Sequence, residues 1–249
     1  MRAAVCLLGS WIALAGSALA GPPLVEDVQL ETERLVGGLE MSIEAWSRSS
    51  AEPSWLGWHV PKLHGDQVLC CSDGADWRRD DRACRLEGSH RHFVFSSRLG
   101  TERRLGGENL VILLRASGGS IDDLQVYSDG CRLDASGRRL VWLEGVDPVA
   151  SADQMSDLIS GSATLEQSKD LVDEALMALA LHQTPVAGQR LISIARTDPR
   201  AEIRGESLFW LAHSGTPGST EVMIGALESD PDPEVREQAI FALGQLPDQ

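Results

Sequence analysis

The sequence predicts a chain in two parts: an α+β domain over 21–150, mostly antiparallel β and pinned by disulfides, and after it an all-α solenoid of repeated helix pairs. Three observations carry this reading. The cysteines Cys70, Cys71, Cys84 and Cys131 and most of the tryptophans lie before residue 145. Beyond that point the sequence turns rich in Ala and Leu with helical spacing. One helix is also written twice: laid over each other at an offset of about 32 residues, "TDPRAEIRGESLFWLAHS" (197–214) and "SDPDPEVREQAIFALGQL" (229–246) place Asp198 on Asp230, Glu202 on Glu234, Arg204 on Arg236, Phe209 on Phe241 and Leu211 on Leu243.

The chain opens with "MRAAVCLLGSWIALAGSALA" (1–20), in which one basic residue precedes an apolar run and small residues stand at Ala18 and Ala20. This is the pattern of a secretory signal peptide cleaved before Gly21. An uncleaved anchor is the alternative, since the run nearly reaches membrane-spanning length, and the A-x-A ending argues against it. The expected location is therefore periplasmic or secreted, with no membrane association after cleavage. The net charge of −15 and pI near 4.7 speak against nucleic acid and anionic lipid as partners, because an acidic surface repels both. A basic protein or a cation is easier to accommodate, although solubility alone explains such a charge.

Within 21–150, Leu39, Ile43 and Trp46 recur at helical spacing, so a short helix is expected there. "SWLGWHVP" reads as a strand between Pro53 and Pro61, and "DQVLCC", "HFVFSSRL" and "RRLVWLEGV" as further β segments. "NLVILLRA" and "SIDDLQVYS" flank Gly118-Gly119 and predict a hairpin. Cys6 leaves with the signal peptide, and an even number of cysteines in an exported chain predicts two disulfides. Adjacent Cys70 and Cys71 point to opposite faces of a strand, which leaves two pairings, Cys71 with Cys84 and Cys70 with Cys131 being preferred. Zinc is the competing use, but no C-x-x-C spacing is present.

The architecture changes near 147–153, where "LEGVDPVASADQ" carries Asp147-Pro148 and small residues. A linker or linking helix is expected over 151–167, and repeats, about two and a half of them, over 168–249. Leu176 and Leu179, Leu208 and Leu211, and Ile240 and Leu243 hold equivalent places in three copies. Between copies run segments opened by Thr-Pro, in which Thr can cap a helix and Pro suits its first turn. The expected helices are 168–182, 184–196, 200–213, 217–228 and 232–246. In the last, Val235, Ala239, Ile240 and Leu243 are expected to form one buried stripe.

"DPDPEVREQAIFALGQL" resembles the first helix of a HEAT repeat: Asp-Pro before the helix, Val-Arg inside it, Ala and Leu-Gly on its buried face. The middle copy departs from the pattern with Ile203 and Ala212, and the first keeps little beyond apolar spacing. The resemblance covers the final third of the chain and implies a HEAT-like α-solenoid. It also implies that Asp198, Asp230, Arg204 and Arg236 form a structural ladder between neighbouring units. The whole layout is similar to bacterial secreted HEAT-repeat domain-containing proteins, a resemblance that implies no defined reaction.

Motifs for chemistry are sparse. No G-x-S-x-G elbow, Walker loop or dinucleotide fingerprint is present, so no catalytic residue and no cofactor is assigned. His90 and His92, with His59 and His64, are the one constellation that resembles a zinc or copper site. Asp122 with Asp123, and Asp80 with Asp81, read as solvated turn positions. Trp55, Trp58, Trp77 and Trp142 read as core, with sugar binding as the alternative. The function expected is a non-enzymatic exported scaffold that binds a protein partner. The outward residues of the second helices, Gln189, Ser193, Arg196, Glu221 and Glu228, are the expected contact surface. A secreted metal-dependent enzyme centred on the first domain and a carbohydrate-binding module using exposed tryptophans are the alternatives. With the third pair lacking a second helix, an apolar strip around Ile240 and Leu243 is expected, either open to a partner or a second copy or closed onto the preceding pair.

Overall fold

A computed structural model of the chain describes residues 22–63, 69–71, 83–88, 107–161 and 165–246. Residues 1–21, His64, Trp77, Asp80, Asp81, His90, His92 and the segment "HFVFSSRL" fall outside the described residues. The central feature is a hairpin of β5 (Asn109–Ser117) and β6 (Ser120–Ser128). Gly118 and Gly119 turn it with φ of 61° and 86°, the two positive values that a two-residue turn of matching twist requires. Strand β3 (Ser54–Pro61) pairs antiparallel with β5, then β8 (Arg139–Glu144) and β2 (Gln29–Arg34) continue outward in the order β2-β8-β3-β5-β6. A second sheet, β1-β7-β4, joins β1 (Leu24–Glu26), β7 (Arg132–Asp134) and β4 (Cys84–Arg85).

The expected antiparallel pairing holds for the two longest ladders, β3–β5 and β5–β6, and parallel pairs extend the sheets beyond them. β8 is parallel to both β2 and β3, and the second sheet is parallel throughout. The cause lies in the connections: helix α1 (Leu39–Ser49) carries the chain from β2 to β3, which run the same way with β8 inserted between them. Such a crossover gives parallel strands, whereas a tight turn can join only an antiparallel pair.

Both faces of the sheet are covered at its central strands β3, β5 and β8, which is why "NLVILLRA" is apolar at successive positions. On one face Leu56, Trp58, Val60, Ile112, Leu114 and Val126 share a core with α1 and the repeat helices. On the other, Trp55, Val111, Leu113 and Trp142 pack under Cys84, Leu86, Cys131 and Leu133 of the small sheet. Gly57 lets the layers close here: a Cβ on it would stand 2.6 Å from the Leu113 side chain and 3.0 Å from the Trp142 ring. Two disulfides, Cys70–Cys131 and Cys71–Cys84, tie the small sheet and the chain before β4 together, each with Cα atoms 5.6 Å apart.

Six helices follow: α2 (Pro148–Gly161), α3 (Leu165–Leu181), α4 (Pro185–Thr197), α5 (Ala201–Ser214), α6 (Ser219–Ser229) and α7 (Pro233–Gly244). They form two layers, with α2, α4 and α6 in contact in one and α3, α5 and α7 in the other. Helix α2 belongs to the array. At the same offset of about 32 residues, Ile159, Leu191 and Met223 occupy equivalent places in α2, α4 and α6, and all three are fully buried. The units therefore pair as α2/α3, α4/α5 and α6/α7. In α7 the buried stripe is Val235, Ala239 and Ala242, while Ile240 is 58% exposed and Leu243 only half-buried. That corrects the expected stripe: helical spacing identifies both positions as apolar, but α5 covers only the side on which Val235 and Ala239 lie.

The sheet and the array are joined through a buried polar seam. Trp58 Nε1 donates to Ser151 Oγ (2.8 Å), which lies 2.9 Å from His182 Nε2. His182 Nδ1 lies 2.6 Å from the Ala178 carbonyl oxygen, which can only accept, so Nδ1 holds the proton and Nε2 accepts from Ser151. Alongside, Leu63 N–H donates to Leu181 O and Gln183 N–H to Pro61 O. The end of α3 is thereby stitched to the end of β3.

Two measurements test this account. In the chain-entropy view a crosslink stabilises more when it closes a longer loop. The sequence separations are 61 for Cys70–Cys131 and 13 for Cys71–Cys84. Paired Cys→Ser replacement is expected to cost about 4 and about 3 kcal/mol respectively in urea unfolding; the reverse order would refute the entropic account. Burial lowers the pKa of His182 from 6.5 to about 4, against the opposing hydrogen bond to Ala178. The unfolded chain thus takes up a proton that the fold excludes, and this contribution is complete above pH 6.5 and lost as pH falls toward 4. The loss amounts to about 3 kcal/mol. Unfolding midpoints of the wild type and His182→Gln, followed from neutral pH downward, are expected to converge across that window.

Candidate functional site

Each turn between units is built on an aspartate. Asp198 and Asp230 follow α4 and α6 directly, and each carboxylate accepts from the backbone N–H two residues on, Arg200 and Asp232, both at 2.9 Å. The acceptance is thus within the turn; the helix cap of α7 is Asp232, which accepts from Glu234 N–H. Arg204 of α5 grips Asp230 through Nε and Nη2, both at 2.8 Å, and gives Nη1 to the Asp198 carbonyl at 2.9 Å. One unit later Arg236 donates to the Asp230 carbonyl at 2.7 Å. One unit earlier the equivalent of Arg204 is Val172, so Asp198 takes its ion pair from Arg200 at 2.8 Å, whose guanidinium also reaches Ile159 O on α2.

These contacts set the charge states. Hydrogen bonds from Arg204 hold the Asp230 carboxyl below the usual carboxylate range. Burial pushes Asp198 up, but the bonds and charge of Arg200 and the charge of Arg204 outweigh it and leave it low. The Arg204–Asp230 pair is 10% and 8% exposed, fixed in a bidentate fork between two units.

The turns close two grooves along the α2/α4/α6 layer. The first, about 480 Å3, lies between α2 and α4 and is lined by Ser156, Ser160, Arg190, Ser193, Thr197 and Arg200 among others. The second, about 270 Å3, lies between α4 and α6, with Arg196, Glu221, Gly225 and Ser229 on its walls. Of the residues expected at a contact surface, Ser193 falls in the first groove and Arg196 and Glu221 in the second. Gln189 and Glu228 are exposed on the same helices but do not line either groove. Ser160, Thr197 and Ser229 donate to carbonyls of their own helices and offer acceptor lone pairs outward. Arg190 pairs with Asp153 at 2.8 Å across the first groove. The α2 side of this face escaped the sequence reading, although the Met155–Ala187–Ser219 and Ile159–Leu191–Met223 registers carry its signal.

The remaining candidates lie elsewhere. Trp55, Trp58 and Trp142 are fully buried and present no ring to a sugar. Trp210 is half-buried, edge-on to Phe209. Asp122 pairs with Arg115 and Asp123 accepts from Gln125. His59 packs beside Trp142, and burial lowers its pKa against the charges of Asp129 and Glu144. Among the described residues no cluster of three or more His, Cys, Asp or Glu side chains gathers as metal ligands. The Ser151–His182 pair resembles a nucleophile and its base, but it is sealed in the core with Trp58 on the serine oxygen. No helix among the described residues is long and apolar enough to cross a membrane.

Residues 188–249 match the family model for HEAT repeats. No curated protein and no solved structure matches the chain.

Removing one partner from a buried ion pair leaves the other charge unpaired. Asp230→Asn is expected to cost about 3 kcal/mol of stability, with the double replacement Arg204→Met, Asp230→Leu recovering part of it. Equal losses in the single and double variants, measured by urea unfolding, would rule out this account of the pair.

Proposed function

We propose that the protein is an exported, non-enzymatic scaffold that holds a protein partner along the α2/α4/α6 face. The observation that carries this reading is the pair of adjacent grooves at one-repeat spacing, both open and lined by hydroxyls, arginines and carboxylates from successive helices. Repeat solenoids present extended surfaces of this kind, and HEAT repeats as a family generally mediate protein–protein interaction. A segment lying across the layer meets Ser193, Arg196 and Glu221 in turn, with Gln189 and Glu228 at its margins. The two disulfides and the A-x-A segment at 18–20 support export to the periplasm or beyond, in a bacterial cell envelope.

The test is capture of envelope proteins by the immobilised full chain. Charge reversal at Glu221 and Glu228 together is expected to reduce capture of the specific partner by about tenfold. Because both side chains are exposed, stability is expected to change by about 0.5 kcal/mol or less. Undiminished capture by the folded double variant removes this face from the interaction.

A further inference from the structure

We infer that the outer side of α6 and α7 binds a basic amphipathic helix of a partner protein, an assignment that rests on the scaffold reading above but uses a different surface. The argument begins with register. On α5 the side that meets α7 carries Gly205, whose absent Cβ would stand 3.2 Å from Gln238, and Phe209, whose ring stacks on Phe241 at 6.3 Å and 17°. One repeat later these positions are Glu237 and Phe241, with Ile240 in the place of fully buried Leu208. α7 thus keeps the apolar positions of that side, with Glu237 in place of the close-packed Gly205, yet Ile240 is 58% and Phe241 52% exposed, and Ile224 of α6 is 42% exposed. Inside the array the occupant of this side is a helix, so the geometry fits another helix with apolar residues spaced along one face.

Charge selects among the helices that could sit there. Residues 230–246, the turn before α7 and the helix itself, contain Asp230, Asp232, Glu234 and Glu237 against Arg236 alone. Asp230 is neutralised by Arg204, and Arg236 is engaged with the Asp230 carbonyl. Helical spacing puts exposed Glu237, and Glu234 one turn before it, on the side of α7 that carries Ile240 and Phe241, while the one cation of the helix, Arg236, is already engaged. A second copy joined face to face would set acid against acid, and the opposite end of the array is covered by the sheet through α3 and β6. A helix bearing Lys or Arg beside its apolar stripe satisfies both halves of the surface.

The probe is a labelled helical peptide of leucine and lysine, leucine at i, i+3, i+4 and i+7, titrated against the full chain by fluorescence anisotropy. Ile240→Ser combined with Phe241→Ser is expected to weaken binding by about tenfold or more. Gly244→Arg, at a helical position where an added Cβ meets nothing within 4 Å, is expected to weaken it as well, and it guards against a folding defect in the first variant. Equal affinity of both variants and wild type overturns the inference, as does equal binding of a peptide with its leucines replaced by serine or its lysines by glutamate. No detectable binding overturns it too. So does a dimer in sedimentation that Ile240→Ser dissolves, since a second copy would then own the face. The Glu221/Glu228 capture assay reads the α2/α4/α6 face separately, so either proposal can fail while the other stands.

Discussion

The buried seam between β3 and the C-terminal end of α3 fixes everything downstream of it. Trp58, Ser151 and His182 each find a partner, and their donor order is forced by the one carbonyl that cannot donate. A buried polar group that loses its partner costs about 1–3 kcal/mol, so the sheet, α2 and α3 have one low-energy arrangement. Helix α5 packs on α3 and α7 on α5, and the direction of the whole layer is inherited from that first contact. The β region is consequently more than a neighbouring domain. A helical array needs its first unit's apolar side covered, and the five-stranded sheet performs that covering with Leu56, Trp58, Ile112 and Val126.

Stacking by apolar contact alone would leave the units free to slide, since ridges and grooves recur along each helix. The Arg204–Asp230 fork removes that freedom because a bidentate pair has one geometry. The fork also ties the α6–α7 turn to α5, and Arg200 does the same for the α4–α5 turn by reaching back to Ile159 O. With the turns held, the spaces between α2, α4 and α6 keep a defined width, and their lining side chains stay in step from one unit to the next.

How much of this could be read beforehand differs by element. The helices from α4 to α7 were legible nearly to their ends, because Asp-Pro and Thr-Pro mark the starts and the apolar period marks the faces, and α3 was legible from its apolar period alone. α1, β3 and the β5–β6 hairpin were legible for similar local reasons. Strand direction was not: alternation and turn residues announce a strand, while parallel pairing of β8 with β2 and β3 depends on where distant chain returns. Helix α2 was legible as a linking helix, but its place in the array was hidden by its Ser- and Ala-rich composition, although Ile159 keeps the repeat register. Ile240 shows the remaining limit. Its spacing declares it apolar and inward, and only the positions of α5 and α6 decide that nothing among the described residues lies over it. In the candidate site, Ser193, Arg196 and Glu221 followed from helical phase. Arg190 and Arg200 did not, because their roles come from partners on α2.

The two surfaces of the array differ in what they can contribute to binding. Two arginines of the first groove are already partnered, Arg190 with Asp153 and Arg200 with Asp198, so a ligand in that groove exchanges existing bonds for new ones and gains mainly selectivity. At the outer side of α6 and α7, apolar area is in water already and its removal is favourable at about 25 cal/mol per Å2. Affinity therefore comes more readily at the outer side of α6 and α7 than along the α2/α4/α6 face. The array is also polar in the directional sense: a sheet closes it at α2 and α3, and exposed Ile224, Ile240 and Phe241 mark the other side. A partner that engaged both surfaces would bind in one orientation only, because the apolar contact lies on the outer side of α6 and α7 and the hydrogen-bonding grooves lead away from it.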